Sequence, residues 1–466
     1  MTNTCDLVVE AGTIVTPEGC VEASIGVRDG VIVAIGHGLA GSETIDARGL
    51  LVFPGVIDAH THIATPIAGT KTCDNFETAS VAAACGGVTT VIDFTVGNRS
   101  ESIRKQVLDR QHEAQRAMID HSFHVEMLGF VRGDEGALDE ANRLGLRSFK
   151  FYTPYGAIGH KTDTGGLYHA FRRIAELGGV AVVHAENENL IESLASGLTD
   201  QERAAMMAIP ATRPPVTEAL AISEVAYLAE VTGAAVHIAH VSSGLGLEAF
   251  RRGKSSYPRV SAETCPQYLL LDESLYDEPR GSLYSVMPPL RAKADSDAMW
   301  AGLADGTLSL VSTDHCLFST EQKAGRRPFG DLPYGLPSLG MLLPILYSEG
   351  VMKERIPLTD VPRLLSRGPA ETFGLYPRKG TLAVGSDADI VLLDPEERWE
   401  VTPESIHSGT DFTPYQGLTI RGRVVTTVLR GEVIYENGRF LATPGFGRFI
   451  PTARNAALDS TDPLSG

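Results

Sequence analysis

Several apolar, strand-like segments of this chain end in side chains that could bind a metal ion. One segment ends in His60 and His62, and three later ones end in His184, His240 and Asp314. Because His60 and His62 alternate along a strand, they point to the same face and can share one ion. Imidazole and carboxylate groups suit zinc and similar first-row ions. A single histidine of this kind is more often a hydrogen-bonded core residue, so the metal-binding interpretation depends on all of them together.

Lys150 lies in another strand-like run, residues 146–152, where a buried ammonium is costly unless it is paired or neutralised. One interpretation is a lysine whose head group reaches water from the end of a strand. The other is a lysine that has reacted with carbon dioxide, because the resulting anionic carbamate can bridge two divalent cations. The neighbouring ligand candidates favour this N6-carboxylysine. The predicted ligands of two divalent ions, zinc or manganese, are His60, His62, Lys150, His184, His240 and Asp314.

The composition indicates a globular protein and argues against several classes of partner. The chain has 466 residues, of which 43% are hydrophobic, so it can bury more than one ordinary domain core. A formal net charge of -18 argues against nucleic acid and anionic membranes, both of which need clustered Lys and Arg. The six cysteines form no Cys-x-x-Cys pair, and no signal peptide or spanning segment is evident. We therefore expect a cytoplasmic protein with reduced thiols.

The middle of the chain, residues 54–377, alternates apolar strands with amphipathic stretches of helical length. Predicted strands fall at 51–58, 88–94, 122–128, 147–151, 180–184, 235–240, 259–263 and 308–313. Eight such units predict an α/β fold, a (β/α)₈ TIM barrel. Active sites of this fold lie at the carboxyl ends of the strands, and every ligand candidate lies at such an end.

The two ends of the chain are rich in short strands and tight turns. Residues 1–53 and 378–447 share this texture, which predicts one small β-sandwich domain built from both ends. Residues 448–466 are polar and end in Ser, Asp and Pro. We predict that they form a C-terminal tail, either a surface arm or an extension that wraps around a partner.

Longer motifs add a family resemblance. The stretches that carry it are Pro54–His62, Gly69–Phe76, Lys150–Tyr155, His184–Asn187, Glu263–Leu269, Pro288–Arg291, Ser312–Cys316, Lys379–Leu382 and Gly385–Asp389. Through them the chain resembles the cyclic amidohydrolases of the amidohydrolase superfamily, in particular the dihydropyrimidinase and D-hydantoinase group. The resemblance covers essentially the whole chain. It implies a carbamylated Lys150 between two zinc ions, Tyr155 as a donor to the oxyanion, and a homo-oligomer, expected to be a homotetramer.

The reaction that this resemblance implies is hydrolysis of an amide bond in a cyclic ureide or imide, which gives an N-carbamoyl amino acid. Asp314 is the predicted proton shuttle between the attacking water and the departing nitrogen. Dihydroorotase-like chains carry an arginine two residues after the His-x-His pair to hold a carboxylate, and this sequence has Ala64 there. We therefore predict a neutral ring with the group –CO–NH–CO–. Allantoin and other cyclic imides or lactams are the alternative substrates.

Two departures from the family pattern fall where relatives hold the ring. Met287 stands in place of a frequent serine, and Tyr334 in place of a frequent asparagine. The residues predicted to contact the ring or its substituent are Tyr155, Ile63, Thr65, Phe151, Tyr152, Met287, Leu317 and Tyr334. Because the set expected around the substituent is mostly apolar, we expect the site to disfavour charged groups there.

Two other classes of function were weighed against the enzyme. Residues 36–41 match the Gly-x-Gly-x-x-Gly pattern of dinucleotide sites, but a turn and a strand follow them and not a helix. Relatives that serve as non-enzymatic scaffolds have lost metal ligands, whereas this chain keeps all six candidates. Both comparisons favour a hydrolase.

Overall fold

The computed structural model describes residues 5–329, 332–407 and 409–453. The strands before the barrel are β1 (Cys5–Thr16), β2 (Gly19–Arg28), β3 (Val31–Gly36), β4 (Gly41–Asp46) and β5 (Leu51–Pro54). Those of the barrel and its one inserted hairpin are β6 (Val56–Thr61), β7 (Pro66–Ile67), β8 (Thr70–Lys71), β9 (Val88–Phe94), β10 (Asp120–Glu126), β11 (Ser148–Tyr152), β12 (Val180–His184), β13 (Ala235–Ile238), β14 (Val260–Thr264) and β15 (Leu310–Val311). After the barrel come β16 (Ile390–Glu400), β17 (Thr419–Leu429), β18 (Glu432–Glu436) and β19 (Arg439–Phe440).

The predicted TIM barrel is confirmed. Within the described residues, eight parallel strands pair in chain order from β6 and β9 through to β15. The ends of this sheet meet where Thr61 forms a parallel bridge with His315. The backbone N–H of Thr313 also donates to the Asp58 side chain on β6 at 3.0 Å, so the segment after the last strand is joined to the first strand.

Helices and short helical turns connect the strands. The helices are α1 (Phe76–Cys85), α2 (Ile103–Glu113), α3 (Glu135–Arg143), α4 (Thr164–Leu177), α5 (Glu188–Ser196), α6 (Asp200–Ala204), α7 (Ala208–Thr212), α8 (Pro215–Thr232), α9 (Gly244–Ser256), α10 (Pro266–Leu270), α11 (Lys293–Ala304), α12 (Thr320–Lys323), α13 (Leu342–Ile345), α14 (Asp360–Pro362) and α15 (Gly368–Thr372). Shorter 3₁₀ or π segments are Ala114–Arg116, Gly156–Ile158, Glu273–Asp277, Gly281–Tyr284, Leu346–Val351 and Arg363–Arg367. In the part of the chain that is described, none of these helices has the length and apolar composition needed to cross a bilayer.

Helix boundaries follow local capping chemistry. At the start of α1, the Asn75 side chain accepts hydrogen bonds from the N–H groups of Glu77 and Thr78. The Asp163 side chain caps α4 in the same way, and α4 ends at Gly178, whose φ of 65° is left-handed. The helix faces turned toward the barrel pack against its strands in one large apolar core.

The prediction of a single strand over residues 51–58 is wrong, because two strands of different sheets share this stretch. Strand β5 pairs with β1 and β16 of the terminal sheet, whereas β6 pairs with β9 of the barrel. The chain changes sheet at Gly55, whose N–H donates to the Asp389 carbonyl at 2.9 Å. A Cβ atom at Gly55 would lie 2.2 Å from Thr89 Oγ1, so only glycine fits this crossing.

The strands from the two ends of the chain pair with one another in one mixed sheet outside the barrel. Its order is β19, β18, β17, β16, β5, β1, β2, β3, and β4 pairs with β1. This sheet has its own small apolar core, separate from that of the barrel. Residues 36–41 lie here as the connection from β3 to β4, so they begin no helix that could bind a pyrophosphate.

The predicted C-terminal arm is wrong for its first part, because residues 446–453 pack against the amino-terminal end of the barrel. The His121 N–H donates to the Arg448 carbonyl at 2.9 Å, and the Ile450 N–H donates back to His121 at 2.8 Å. Ile450 is buried in an apolar cluster with residues of the barrel strands, among them Ile57 and Val180. Burial of the Ile450 side chain and these backbone hydrogen bonds hold the segment against the barrel, although its polar composition suggested an arm. Residues 454–466 lie outside the described residues, and the partner-wrapping prediction for them is untested.

A buried ionic network joins the barrel, the terminal sheet and this last segment. The Lys379 ammonium lies 2.6 Å from Asp120 at the start of β10 and 2.6 Å from Asp389, which precedes β16. The Arg430 guanidinium also contacts Asp120, and the Arg448 N–H donates to the same carboxylate at 2.9 Å. Because these charges are almost completely buried, each depends on the others for its stability.

Lys379→Met is expected to destabilise the fold strongly, because it leaves the Asp120 and Asp389 carboxylates buried without their shared cation. Breaking a buried pair costs about 3–5 kcal/mol of unfolding free energy. Urea and thermal unfolding followed by circular dichroism would measure the loss. Lys105→Met is the matched control, because Lys105 pairs with Asp109 on the exposed face of α2 and its loss should leave the unfolding midpoint unchanged. Equal midpoints for wild type and Lys379→Met would contradict the network's role.

Candidate active site and metal centre

The six predicted metal ligands meet at the carboxyl end of the barrel. His60 lies on β6 with His62 just after it, and Lys150 lies on β11. The others are His184 at the end of β12, His240 after β13 and Asp314 after β15. The Nε2 atoms of His60 and His62 lie 3.3 and 3.2 Å from Asp314 Oδ1. The rings of His184 and His240 have centroids 4.5 Å apart, and those of His60 and His240 are 5.4 Å apart.

The donor set fits divalent metal ions. Ligand atoms of His60, His62 and Asp314 all lie within 4.8 Å of one another. Within the described residues, His60 Nε2 and His240 Nδ1 are buried nitrogen atoms without a hydrogen-bond partner. Buried polar atoms rarely lack partners, and an ion bound between these side chains would provide them. The site therefore suits an ion at His60, His62 and Asp314, with His184 and His240 beside it.

The protonation states also fit metal binding. Burial lowers the pKa of His60, His184 and His240, so these rings are neutral near pH 7. Neutral imidazole is the form that binds metal. Burial would raise the pKa of Asp314, but the contacts with His60 and His62 outweigh it and lower this pKa, so the carboxylate is ionised.

Two buried carboxylates that sequence reasoning missed orient the histidines. Glu263 on β14 lies 2.6 Å from His60 Nδ1, which leaves His60 Nε2 facing the cluster. Glu186 lies 2.8 Å from His184 Nε2 in the same role. A carboxylate behind a histidine ligand fixes its tautomer and ring orientation. Both glutamates stand in the family-like stretches, and a carboxylate at the end of an apolar strand was the signal that could have identified them.

Lys150 is buried between aromatic rings, and Asp314, Glu263 and Glu126 act on its charge from beyond ion-pair distance. Its Nζ atom lies 5.1 Å from the centre of the Phe94 ring and 5.2 Å from that of Tyr152. No described carboxylate lies within ion-pair distance of it, and its residue is 1% exposed. Burial lowers the pKa of Lys150 to about 8. The alternative in which the head group reaches water from the strand end is therefore wrong.

Three residues of the site have a strained backbone, although other described residues such as Ala11 and Arg430 also have a positive φ. Tyr155, His240 and Asp314 have φ values of 75°, 39° and 52°, a left-handed region that residues other than glycine seldom adopt. Such conformations cost free energy and persist where the surrounding structure enforces them, which is typical of active sites. This observation supports the site independently of any sequence motif.

Tyr155 stands at the edge of the cluster beside an arginine that sequence reasoning did not identify. The Tyr155 ring lies 5.2 Å from the His184 ring, and the Arg213 guanidinium lies 5.3 Å from its centre. Arg213 is held by an ion pair with Glu186, the carboxylate that also contacts His184. Burial raises the pKa of Tyr155 despite this neighbouring cation, so its hydroxyl is protonated and can donate a hydrogen bond.

The predicted substrate-contact residues divide into two groups. The first group is half-buried, as residues that line a cleft would be, and consists of Thr65, Tyr152, Tyr155, Met287 and Tyr334. The Tyr152 hydroxyl is not free, because it donates to Glu126 at 2.5 Å. The lining thus combines hydroxyl groups with apolar surface, which differs from the mostly apolar set that we expected.

Ile63, Phe151 and Leu317 form the second group, and their placement contradicts the predicted contact with a substituent. Each is at most 2% exposed. The Phe151 ring packs against Phe130 at 5.9 Å between the barrel and its helices. Side chains alternate across a strand, so Lys150 and Tyr152 point inward and Phe151 must point outward.

Fold and site together define the class of metal-dependent hydrolases built on a (β/α)₈ barrel. The model of the amidohydrolase family matches residues 51–434, and the chain belongs to that family. It is 36% identical to the D-hydantoinase of Geobacillus stearothermophilus over 461 residues, which is 97% of each chain. It is 37% identical to the D-phenylhydantoinase of Escherichia coli O139:H28 (strain E24377A / ETEC), covering 95% of this chain and 97% of that one. The crystal structure of dihydropyrimidinase from Brevibacillus agri NCHU1002 matches with a TM-score of 0.92 at 34% identity, over 96% of this chain and 99% of that one.

Proposed function

We propose that this protein opens the amide bond of a cyclic ureide or imide, of the dihydropyrimidine or hydantoin type, to give an N-carbamoyl amino acid. The observation that carries the proposal is the cluster of four histidines, Lys150 and Asp314 at the carboxyl end of the barrel. The names of its relatives, D-hydantoinase and dihydropyrimidinase, support this reaction. Family membership and the intact ligand set favour an enzyme over a non-enzymatic scaffold.

Metal dependence is general in the amidohydrolase family, and we propose two ions for this chain, zinc or manganese. His60, His62 and Asp314 would hold one ion, and His184 and His240 the other. Lys150 would contact both after carbamylation. That reaction would turn a buried amine, which forms no ion pair with a described carboxylate, into an anionic group that can serve as a ligand. Two divalent ions supply Lewis acidity, which polarises an amide carbonyl and makes water more acidic.

We propose that Asp314 and Tyr155 carry out the proton and charge steps. Asp314 is ionised and strained, and it can accept the proton of the attacking water. It then delivers that proton to the departing ring nitrogen as the amide bond breaks. The Tyr155 hydroxyl, kept protonated by burial, donates a hydrogen bond to the oxygen that becomes negative. The Arg213 guanidinium, which is paired with Glu186, lies beside the Tyr155 ring in this part of the cleft.

The substrate is proposed to be a neutral ring. Ala64, two residues after His62, offers no charge that could hold a carboxylate on the ring. Met287 and Tyr334 border the cleft where relatives hold the ring through main-chain atoms, so the binding mode tolerates their side chains. The Tyr152 hydroxyl, already paired with Glu126, makes the substituent end of the cleft partly polar.

A panel of ring substrates tests the proposed reaction. Dihydrouracil, hydantoin, a 5-aryl hydantoin, allantoin, dihydroorotate and a simple cyclic imide would be assayed with zinc- and manganese-loaded enzyme. We expect the highest kcat/KM for dihydrouracil or a hydantoin, because these rings are neutral and contain –CO–NH–CO–. A preference for dihydroorotate or allantoin would contradict the assignment, and inactivity on all six would point to another cyclic imide or lactam.

Lys150→Ala is expected to lower the metal content from two ions per chain, because it removes the group that would contact both. Elemental analysis would measure it on protein grown with and without bicarbonate. Wild-type protein prepared with ¹³C-labelled bicarbonate should also show a carbamate signal that the variant lacks. Lys161→Ala is the control, since Lys161 pairs with Glu188 beside the cleft and is no ligand candidate. Unchanged metal in Lys150→Ala would rule out the bridging role.

Asp314→Asn and Tyr155→Phe should separate proton transfer from oxyanion stabilisation. Loss of a general acid–base group lowers kcat by about 10²–10⁴-fold, so we expect a large loss in metal-loaded Asp314→Asn. Tyr155→Phe keeps the ring and removes one donor, a change worth about 3 kcal/mol in kcat. Metal content must be measured for both, because a variant that loses metal reports nothing about protons. Near-normal kcat in either metal-loaded variant would refute the role given to that residue.

We further propose a cytoplasmic homotetramer. All six cysteines are free thiols, as suits a reducing compartment. Helix α8 carries an exposed apolar stripe that a second copy could cover, formed by Val216, Leu220, Tyr227 and Val231. Light scattering on the purified protein should give four times the chain mass, and Tyr227→Glu should shift it to a smaller species. A monomer at micromolar concentration would contradict this assembly.

A further inference from the structure

Lys323 is a second buried lysine that the proposed chemistry does not use. It ends α12, and its residue is 1% exposed. The Nζ atom donates to the carbonyl oxygens of Leu283 at 3.2 Å, Ser285 at 3.1 Å and Gly335 at 2.5 Å. The Ser285 hydroxyl lies 3.1 Å away as a fourth partner. One amine thus collects backbone oxygens from two separate segments of the chain.

This environment differs from that of the other buried lysines. Lys379 has three carboxylates around it, whereas no carboxylate of the described residues forms an ion pair with Lys323. Burial lowers the pKa of Lys323 to about 7. Since all of these partners are neutral oxygens, hydrogen bonds are the interaction that the buried amine supplies at this position.

The two segments are loops at the catalytic end of the barrel. Leu283 and Ser285 lie in the loop that follows β14, and Gly335 lies in the loop that follows β15. The Gly335 N–H also donates to the Ser285 carbonyl at 3.0 Å. Gly335 has a φ of 146°, and a Cβ atom there would lie 2.4 Å from Cys316 Cβ. The second loop is therefore held in one place against the segment that carries Asp314.

Both loops border the cleft beside the residues already described. Met287 and Tyr334 are half-buried, while the residues on either side of each are buried, so these two side chains are partly accessible within otherwise buried stretches. Tyr334 lies close enough to Tyr155 and Arg213 to raise the pKa of each. The Cys316 N–H donates to the Leu336 carbonyl at 3.1 Å, which links the Tyr334 loop to the strand end.

We propose that Lys323 is a positioning residue that fixes the spacing of the Ser285–Met287 and Tyr334–Gly335 loops, and that this spacing determines how tightly the ring is bound. The inference rests on the proposed function, since a ring must occupy the cleft between these loops. Lys323 does not contact the ligand cluster. Its loss should therefore weaken binding in the ground state and transition state alike, without removing a catalytic group.

Lys323→Met tests the proposal, because methionine has a similar length and no donor. Loss of buried hydrogen bonds that hold a binding loop should raise KM by about tenfold while kcat stays within about twofold. Metal content should equal that of wild type. Lys379→Met is the matched control, since it weakens the fold from the opposite end of the barrel and should leave KM unchanged.

Two further measurements separate positioning from general stability. Lys323→Ala removes the atoms that propylammonium contains, so this cation should bind the vacated space and restore KM, whereas it should not act on Lys323→Met. Hydrogen exchange followed by mass spectrometry should show faster exchange in residues 281–291 and 332–338 of Lys323→Met. The remaining barrel peptides should exchange as in wild type.

These measurements distinguish a positioning role of Lys323 from a general loss of stability. A raised KM with retained kcat, rescue of the alanine variant and faster local exchange would support positioning. Unchanged KM, or unchanged exchange in both loops, would overturn it, and so would an equal rise of KM in Lys379→Met. If wild-type enzyme hydrolyses no ring of the panel, the dihydropyrimidine or hydantoin assignment fails, and the role of Lys323 in binding such rings fails with it. Exchange would still report whether Lys323 holds the loops together.

Discussion

The burial of several imidazoles and an unpaired amine in one place is the constraint on which this structure depends. The interior of a barrel offers little water to such groups, so every nitrogen must find a partner within the protein or in a bound ion. Glu263 and Glu186 satisfy the outer nitrogen atoms of His60 and His184 and thereby turn the inner ones toward each other. Burial keeps these rings neutral. What results is a cluster in which His60 Nε2 and His240 Nδ1 are buried without hydrogen-bond partners, an arrangement that a cation would stabilise. Lys150 lies beside it with no described carboxylate within ion-pair distance.

The two ends of the barrel solve the problem of buried charge in opposite ways. At the amino-terminal end, Lys379 and Arg430 are surrounded by carboxylates, and Asp120 ties them to the backbone of the last segment. That network gives each of these buried cations at least one carboxylate partner. At the carboxyl end, Lys323 and Lys150 lack acidic partners among the described residues, and the left-handed backbone of the neighbouring site residues adds strain. The amino-terminal end of the barrel thus contributes stability, and the carboxyl end carries the reactive side chains, as is usual in this fold.

Sequence patterns predicted the parts of the site that follow from strand periodicity. His60, Lys150 and His184 lie on or at the ends of strands, where period two and the apolar run determine which way a side chain points. The same rule applied to Phe151 would have placed it in the core, so that error came from reading a motif without its periodicity. Ile63 and Leu317 follow strand ends, where no period holds and only the folded loop decides their direction. The packed segment 446–453 escaped prediction because its stability comes from backbone pairing with β10, which composition does not reveal.

Lys323 and Arg213 show why the rest of the site was not accessible from sequence. Each acts through partners that are distant in the chain: Arg213 through Glu186 and the Tyr155 ring, and Lys323 through carbonyl groups of two loops. Backbone oxygens have no signature in a sequence, so a lysine that binds them looks like any lysine at the end of a short helix. In the proposed function the metal ligands determine where an amide bond is broken, but they do not determine which ring is bound there. That selection belongs to the loops, and loops hold a shape only when buried groups such as Lys323 join them. We therefore propose that the chemistry and the ring binding of this chain depend on different buried lysines, Lys150 beside the strand ends and Lys323 between the loops above them.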